Sequence, residues 1–116
     1  MVDDEQGIRE FLEMELGAEG YIVETAVNGE DAIKKMQKQK YALILCDIKM
    51  PKGSGIQVLK AAKKVEPETP VIMMTGYGNE ENYNASMMSG AAGFISKPFH
   101  IDEVLAAVEK AVKKVF

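Results

Sequence analysis

Five side chains in this sequence could together perform phosphoryl-group chemistry. Asp3 and Asp4 follow the apolar start of the chain, and Asp47, Thr75 and Lys97 come at or just after the ends of short apolar runs. Three carboxylates brought together repel one another, and Mg²⁺, which prefers a few carboxylates plus water, relieves that repulsion. Beside such a cation a carboxylate can attack phosphorus, while a hydroxyl and an ammonium group contact the phosphoryl oxygens. These residue types therefore indicate transfer of a phosphoryl group to an aspartate.

Each of these residues also has a simpler interpretation when it is taken alone. Asp47 could end a strand or cap a helix, and Asp3 and Asp4 could cap the first helix. Lys97 alone could be a surface lysine. The interpretation as one metal and phosphoryl site is favoured because it accounts for all of the positions together.

Apolar periodicity predicts an alternation of helices and strands that could position these residues. In the first helix, Ile8, Phe11, Leu12 and Leu16 are expected to form the buried stripe. The segment 80–89 has poor helix propensity and a ragged stripe. The predicted helices are 6–18, 30–39, 54–65, 80–89 and 101–115, and the predicted strands after the apolar start are 21–26, 41–46, 71–75 and 93–96.

This alternation predicts a single α/β domain, residues 1–116, with a parallel sheet and helices on both faces. Right-handed crossovers place the carboxyl ends of all strands at one edge, where ligands gather in such sheets. The five candidate residues would then meet at that edge.

The composition narrows the class of protein further. The 116 residues are 47% hydrophobic with a net charge of -4, which argues against a nucleic-acid or basic membrane-binding surface. No apolar run is long enough to span a membrane, and no secretory signal opens the chain. The single Cys46 cannot form an internal disulfide and is expected in the core, and no CxxC motif or His cluster suggests zinc. We expect a cytoplasmic location.

The chain resembles the receiver domain of two-component response regulators over residues 2–115. The resemblance implies a flavodoxin-like (βα)5 three-layer sandwich with a parallel five-stranded sheet of order 2-1-3-4-5. The motifs that carry it are Val2-Asp3-Asp4-Glu5, Asp47-Ile48-Lys49-Met50-Pro51 with Gly53 and Gly55, Met74-Thr75-Gly76-Tyr77-Gly78, and Lys97-Pro98-Phe99.

The resemblance implies a role for each matching site residue. Asp47 would accept the phosphoryl group from a phosphohistidine on a histidine kinase or phosphotransfer protein. Asp3, Asp4, Asp47 and the backbone carbonyl of Lys49 would bind Mg²⁺ or Mn²⁺. Thr75 and Lys97 would contact the phosphoryl group. Such a chain is a phosphoacceptor that assists its own phosphorylation and dephosphorylation, rather than an enzyme.

The resemblance also implies how phosphorylation is transmitted. Thr75 and Phe94 would switch position and change the surface formed by residues 80–115, which would control an output domain or effector and could form a homodimer. Lys49 and Tyr77 would lie at the rim of the site, where Tyr77 is expected to obstruct the attacking water and prolong the life of the acyl phosphate. The Lys97-Pro98 bond is expected to be cis.

Three other functions are less consistent with these residues. A degenerate receiver acting only as an interaction module would not need the complete set of site residues. An aspartyl-nucleophile phosphatase would place a second carboxylate two residues after Asp47, where this chain has Lys49. A flavodoxin would need a Ser/Thr/Gly-rich phosphate loop after the first strand, where this chain has acids.

Two features depart from the family pattern. Only Met1 and Val2 precede the acidic pair, whereas receivers carry several more apolar residues there, so the first strand is expected to be truncated. Either preceding residues are missing, the strand is shortened, or a partner supplies it. His100 stands where the family often has a helix-capping Asp, and we expect it to be exposed and non-catalytic. Asp102 and Glu103 are expected to interact favourably with the helix dipole instead.

Overall fold

A parallel sheet forms the centre of the computed structural model, which describes residues 1–2, 6–48, 55–75, 87–96 and 100–115. Its strands are β1 (Ile44–Asp47), β2 (Val71–Thr75) and β3 (Gly93–Ser96), in the order β1-β2-β3. Both pairs of strands are parallel, as the predicted alternation of strands and helices led us to expect.

Two isolated bridges extend this sheet beyond β1. Val2 pairs in parallel with Cys46 on one side and with Ala26 on the other. The Val2 N–H donates to the Leu45 carbonyl at 2.7 Å, and the Ala26 N–H donates to the Met1 carbonyl at 2.8 Å. The order across the sheet is therefore the segment at Ala26, Val2, β1, β2 and β3, which confirms the predicted order 2-1-3-4-5.

The predicted strand 21–26 is wrong in its extent, because only Ala26 forms a bridge. Backbone pairing needs a partner, and the described neighbour of this segment is only Met1 and Val2. Side chains also hold the segment: the Tyr41 hydroxyl donates to a Glu24 carboxylate oxygen at 2.7 Å, and the Lys35 ammonium donates to the Thr25 carbonyl. Partial burial and the Glu24 carboxylate raise the pKa of Tyr41 to about 12.

The strand predicted at 41–46 begins three residues later than expected and includes Asp47. Its first residue, Ile44, is paired with Val71, the first residue of β2. Tyr41 precedes the residues of β1 that pair with β2, and its carbonyl accepts instead from the Thr69 hydroxyl at 3.1 Å. Asp47 is thus the last residue of a strand rather than the first residue of a loop.

In the part of the chain that the structure describes, four helices of ten or more residues cover the sheet: α1 (Gln6–Ala18), α2 (Gly29–Lys38), α3 (Gly55–Val65) and α4 (Ile101–Val115). Helix α2 begins one residue earlier than predicted, after Asn28, whose side chain accepts from the Asp31 N–H at 2.9 Å. Of the helix predicted at 80–89, residues 87 and 88 are helical and 80–86 lie outside the described residues. Within the described residues, no helix has both the length and the apolar composition that a membrane crossing requires.

Hydrophobic residues form two cores, one on each face of the sheet. Helices α2 and α3 pack on one face, and α1 and α4 pack on the other, which confirms the three-layer arrangement. The first core includes Ala32, Cys46, Val58, Leu59, Ala62, Val71 and Met73, and the second includes Leu12, Leu16, Leu45, Ile72, Met74, Val104 and Val108. Cys46 is completely buried, as predicted.

Candidate functional site

Asp47 is a carboxyl group inside the fold, at the carboxyl end of β1. It is only 4% exposed, and the three residues before it in the strand are also buried. Burying a carboxylate is costly unless hydrogen bonds, opposite charges or a metal ion compensate for the lost water. A buried aspartate at this end of a parallel strand therefore indicates a functional group rather than a surface residue.

Hydrogen bonds to both neighbouring strand positions hold the backbone at Asp47. The Asp47 N–H donates to the Val2 carbonyl at 2.9 Å, and the Ile48 N–H donates to the Met74 carbonyl at 2.8 Å. The Cys46 thiol donates to the Asp47 carbonyl at 3.3 Å. The backbone at Asp47 is consequently held between Val2, which precedes Asp3, and Met74, which precedes Thr75.

The ends of β2 and β3 reach the same edge of the sheet. Met74 is paired with Asp47, and Thr75 is paired with Ser96, the residue immediately before Lys97. The described backbone therefore brings Asp47, Thr75 and Ser96 to one edge. This is the arrangement that the alternation of helices and strands predicted.

Gly55, the first residue of α3, lies against the backbone at this edge of the sheet. The Gly55 N–H donates to the Ile48 carbonyl at 2.8 Å. A Cβ atom at Gly55 would lie 2.1 Å from the Asp47 carbonyl oxygen. Gly55 belongs to the motifs that carry the family resemblance, but its close approach to Asp47 was not predicted, because it depends on how near α3 lies to β1.

Phe94 lies in β3 and is half-buried. It is paired with Met73 in the sheet register and packs against the core formed with α2 and α3. Its predicted role as a switch, together with Thr75, stays a prediction.

His100 is exposed and immediately precedes α4, as expected. Its backbone N–H donates to a Glu103 carboxylate oxygen at 3.3 Å, and the Glu103 N–H donates to the His100 carbonyl at 3.0 Å. Glu103 thus accepts from the N–H of the residue that precedes the helix, which is a different role from that of a capping aspartate at position 100.

The remaining predicted site residues lie outside the described part of the chain. Their proposed roles therefore stay predictions from the sequence. They are the metal-binding Asp3, Asp4 and Lys49, the phosphoryl-contacting Lys97, the rim residue Tyr77 and the proline of the cis bond, Pro98.

Comparison with known proteins identifies the family. The family model for the response regulator receiver domain matches residues 1–109. The chain belongs to the response regulator receiver domain family, whose members are regulatory phosphoacceptor domains of two-component systems.

Several relatives of known sequence share this domain. The chain is 39% identical over 110 residues to sporulation initiation phosphotransferase F of Bacillus subtilis, covering 95% of this chain and 89% of that protein. It is 38% identical over 114 residues to the transcriptional regulatory protein ResD of the same organism, covering 98% of this chain and 47% of that protein. The chain spans half of the relative YkoG and 26% of GlrR, so it matches only part of those regulators.

Solved structures agree with the family and the fold. A CheY-like receiver domain protein from Methanospirillum hungatei superimposes with a TM-score of 0.95 at 32% identity, covering 98% of this chain and 91% of that one. The response regulator TrrA from Thermotoga maritima, solved in complex with Mg²⁺-BeF, superimposes with a TM-score of 0.86 at 38% identity, covering 95% and 94% of the two chains.

Proposed function

We propose that residues 1–116 form one receiver domain that accepts a phosphoryl group on Asp47 from a phosphohistidine of a histidine kinase or phosphotransfer protein. The observation that carries this proposal is the burial of Asp47 at the carboxyl end of β1, held between Val2 and Met74. In the reaction an Asp47 carboxylate oxygen bonds to phosphorus as the bond from phosphorus to the histidine nitrogen breaks. The product is an acyl phosphate on Asp47.

A hard divalent cation fits the oxygen donors that this chain supplies. Receiver domains generally bind Mg²⁺, and the relative TrrA was solved with Mg²⁺-BeF. We propose that Asp3, Asp4, Asp47 and the Lys49 backbone carbonyl bind Mg²⁺ or Mn²⁺. When bound, the cation neutralises charge on the phosphoryl oxygens and lowers repulsion between them and the carboxylates.

Two further residues are proposed to contact the phosphoryl group. Thr75 ends β2 next to the Asp47 position, and Lys97 follows Ser96 at the end of β3. A hydroxyl and an ammonium group would each donate to phosphoryl oxygens and favour the charged transition state. Lys49 and Tyr77 are proposed to border the site and control the access of water, and the Lys97-Pro98 bond is proposed to be cis.

The phosphorylated state is proposed to differ in the positions of Thr75 and Phe94. The partly buried Phe94 sits against the core beside Met73, so a change in its position would alter the surface of β3. Phosphorylation shifts such an equilibrium only by interacting differently with the two states. The changed surface, residues 80–115, would then bind an output domain, an effector or a second copy of the chain.

The biological setting proposed for this domain is cytoplasmic signal transduction. Relatives are named as transcriptional regulatory proteins and, in one case, as a phosphotransferase. The activities of those whole proteins are theirs, because this chain matches only part of most of them. For this chain we propose the regulatory acceptor role, without direct binding to nucleic acid or membrane.

The direct test is incubation with acetyl phosphate and Mg²⁺ followed by measurement of the intact mass. The wild-type chain is expected to gain one phosphoryl group, and the gain should disappear with EDTA. Asp47→Asn should remain unmodified, whereas Asp102→Asn, a change at an exposed carboxylate in the first turn of α4, should be modified like the wild type. A wild-type chain that gains no phosphoryl group would refute the proposal and favour a pure interaction module.

A further inference from the structure

We infer that Gly55 is a positioning residue for Asp47, an inference that rests on the proposed phosphoacceptor function. Gly55 is the first residue of α3, and it packs directly on the peptide group that joins Asp47 to Ile48. A Cβ atom at Gly55 would lie 2.1 Å from the Asp47 carbonyl oxygen, 2.6 Å from the Ile48 Cα and 2.9 Å from the Asp47 carbonyl carbon. Real Cβ atoms essentially never approach other atoms this closely.

The need for glycine at this position comes from space and not from backbone conformation. The positive-φ glycines of the described chain are Gly20 and Gly90, so Gly55 has a φ that any residue can adopt. Glycines in α1 provide the contrast, since a Cβ at Gly7 or Gly17 would meet nothing within 4 Å. At Gly55, any L-amino acid side chain must displace main-chain atoms of the site.

The atoms on either side of this contact have little freedom to move. The peptide is held by the hydrogen bonds from the Asp47 N–H to Val2 and from the Ile48 N–H to Met74. Helix α3 is held by Val58 and Leu59, whose side chains are completely buried. Because the core is close-packed, the strain of an added methyl group would be shared between the start of α3 and the Asp47 peptide.

Displacement of that peptide would change the position of the proposed phosphoacceptor, Asp47, and of the proposed metal-binding residue, Lys49. The direction of the Asp47 carboxylate depends on the position of its own backbone. Lys49, a proposed metal-binding residue, directly follows Ile48 in the sequence, and the Ile48 carbonyl accepts from the Gly55 N–H. A misplacement of about 1 Å in reacting groups can cost about 100-fold in rate. Gly55 itself has no side chain with which to contact a reacting atom, so its effect acts through Asp47.

The experiment compares the rate of phosphorylation by acetyl phosphate at saturating Mg²⁺ for wild type, Gly55→Ala and Gly7→Ala. The same methyl group is added in both variants, but only at Gly55 does it meet backbone atoms. The rate per folded molecule is expected to fall about 10- to 100-fold in Gly55→Ala and to stay within about twofold of wild type in Gly7→Ala. Saturating Mg²⁺ separates this effect from a loss of metal affinity.

Two additions keep the test decisive. If Gly55→Ala is poorly folded, it is combined with Gly7→Ala and Gly17→Ala, which raise the helix propensity of α1 without new contacts. Amide NMR shifts of Asp47 and Ile48 should change in Gly55→Ala and not in Gly7→Ala. A folded Gly55→Ala protein with the wild-type rate would overturn the inference while leaving the proposed function intact. A wild-type chain without any phosphoryl adduct would overturn both.

Discussion

At the scale of single residues, Asp47 and Gly55 form one unit. The carboxyl group of Asp47 is almost completely buried, and the backbone that carries it is in contact with the Gly55 Cα. The residue type and spacing of Asp47 were sufficient to predict its place at the end of a strand. The close approach of Gly55 was not predictable in that way, because it depends on how near α3 lies to β1 in three dimensions.

A second residue with a specific environment is Tyr41, at the opposite edge of the sheet. Its hydroxyl donates to the Glu24 carboxylate at 2.7 Å. Partial burial and this carboxylate raise the pKa of Tyr41 from 10.0 to about 12. The folded chain therefore holds the phenol proton more tightly than the unfolded chain does, and this contribution to stability is fully present below about pH 10.

We predict that Tyr41→Phe lowers the free energy of unfolding at pH 8 by less than about 1 kcal/mol, because the hydrogen bond between Tyr41 and Glu24 is exposed to solvent. The difference from wild type should shrink as the pH rises through about 12, the pKa of Tyr41, since the folded wild type then loses the proton as well. Urea titrations at several pH values measure this, and Glu24→Gln serves as the control that weakens the same bond. A difference that stays constant between about pH 9 and pH 12 would contradict the assignment.

At the scale of secondary-structure elements, the four helices α1 to α4 were predicted to within one residue at each end, whereas the extents of two strands were predicted wrongly. Periodicity correctly indicated that Leu12 and Leu16 face the core from α1, but Phe11, predicted to be part of the same stripe, is 42% exposed. The apolar segment 21–26 has the composition of a strand and forms only the bridge at Ala26. Composition reports the tendency of a segment to pair, whereas pairing itself depends on a neighbour that lies elsewhere in the sequence.

The start of α4 offers a prediction about an element. His100 occupies the position before the helix, and Glu103 reaches back to its N–H at 3.3 Å. This is the glutamate half of a capping box, in which the other half is a short polar side chain that accepts from the third helical N–H. Histidine is not among the residues preferred for that role.

We therefore predict that His100→Asp stabilises the protein by about 0.5–1 kcal/mol, because the new carboxylate accepts from an N–H in the first turn of α4 and interacts favourably with the helix dipole. His100→Ala, which supplies no cap, should leave stability almost unchanged and is the matched control. Urea-induced unfolding at neutral pH measures both variants. Equal stabilities for the two variants would show that Glu103 alone already satisfies this helix start.

At the scale of the whole molecule, the sheet separates two cores that depend on the same strands. Residues of β1 and β2 alternate between the faces, so that Cys46 and Met73 belong to one core while Leu45 and Ile72 belong to the other. Loss of packing on one face should therefore weaken the whole sheet rather than a single helix. The two-sided burial of these strands was predictable from their continuous apolar runs.

We predict that Leu59→Ala, at a completely buried position of α3, lowers the free energy of unfolding by about 2–5 kcal/mol. The change deletes buried methyl groups and leaves a cavity in a close-packed core. Ile22→Ala, at a side chain that is 100% exposed, should change stability by less than about 0.5 kcal/mol. Thermal and urea unfolding followed by circular dichroism compare the two, and a similar loss in both variants would contradict the description of the core.

The pairing of Val2 on both sides has a consequence for amide hydrogen exchange. Three backbone hydrogen bonds involve Met1 or Val2: the Val2 N–H donates to Leu45, the Ala26 N–H donates to Met1, and the Asp47 N–H donates to Val2. The Ile48 N–H instead donates to Met74, on the other side of β1. An opening of the sheet at Val2 would expose the first three protons to solvent together and leave the fourth protected. Their relative exchange rates would therefore report how often the backbone of the proposed phosphoacceptor separates from the start of the chain.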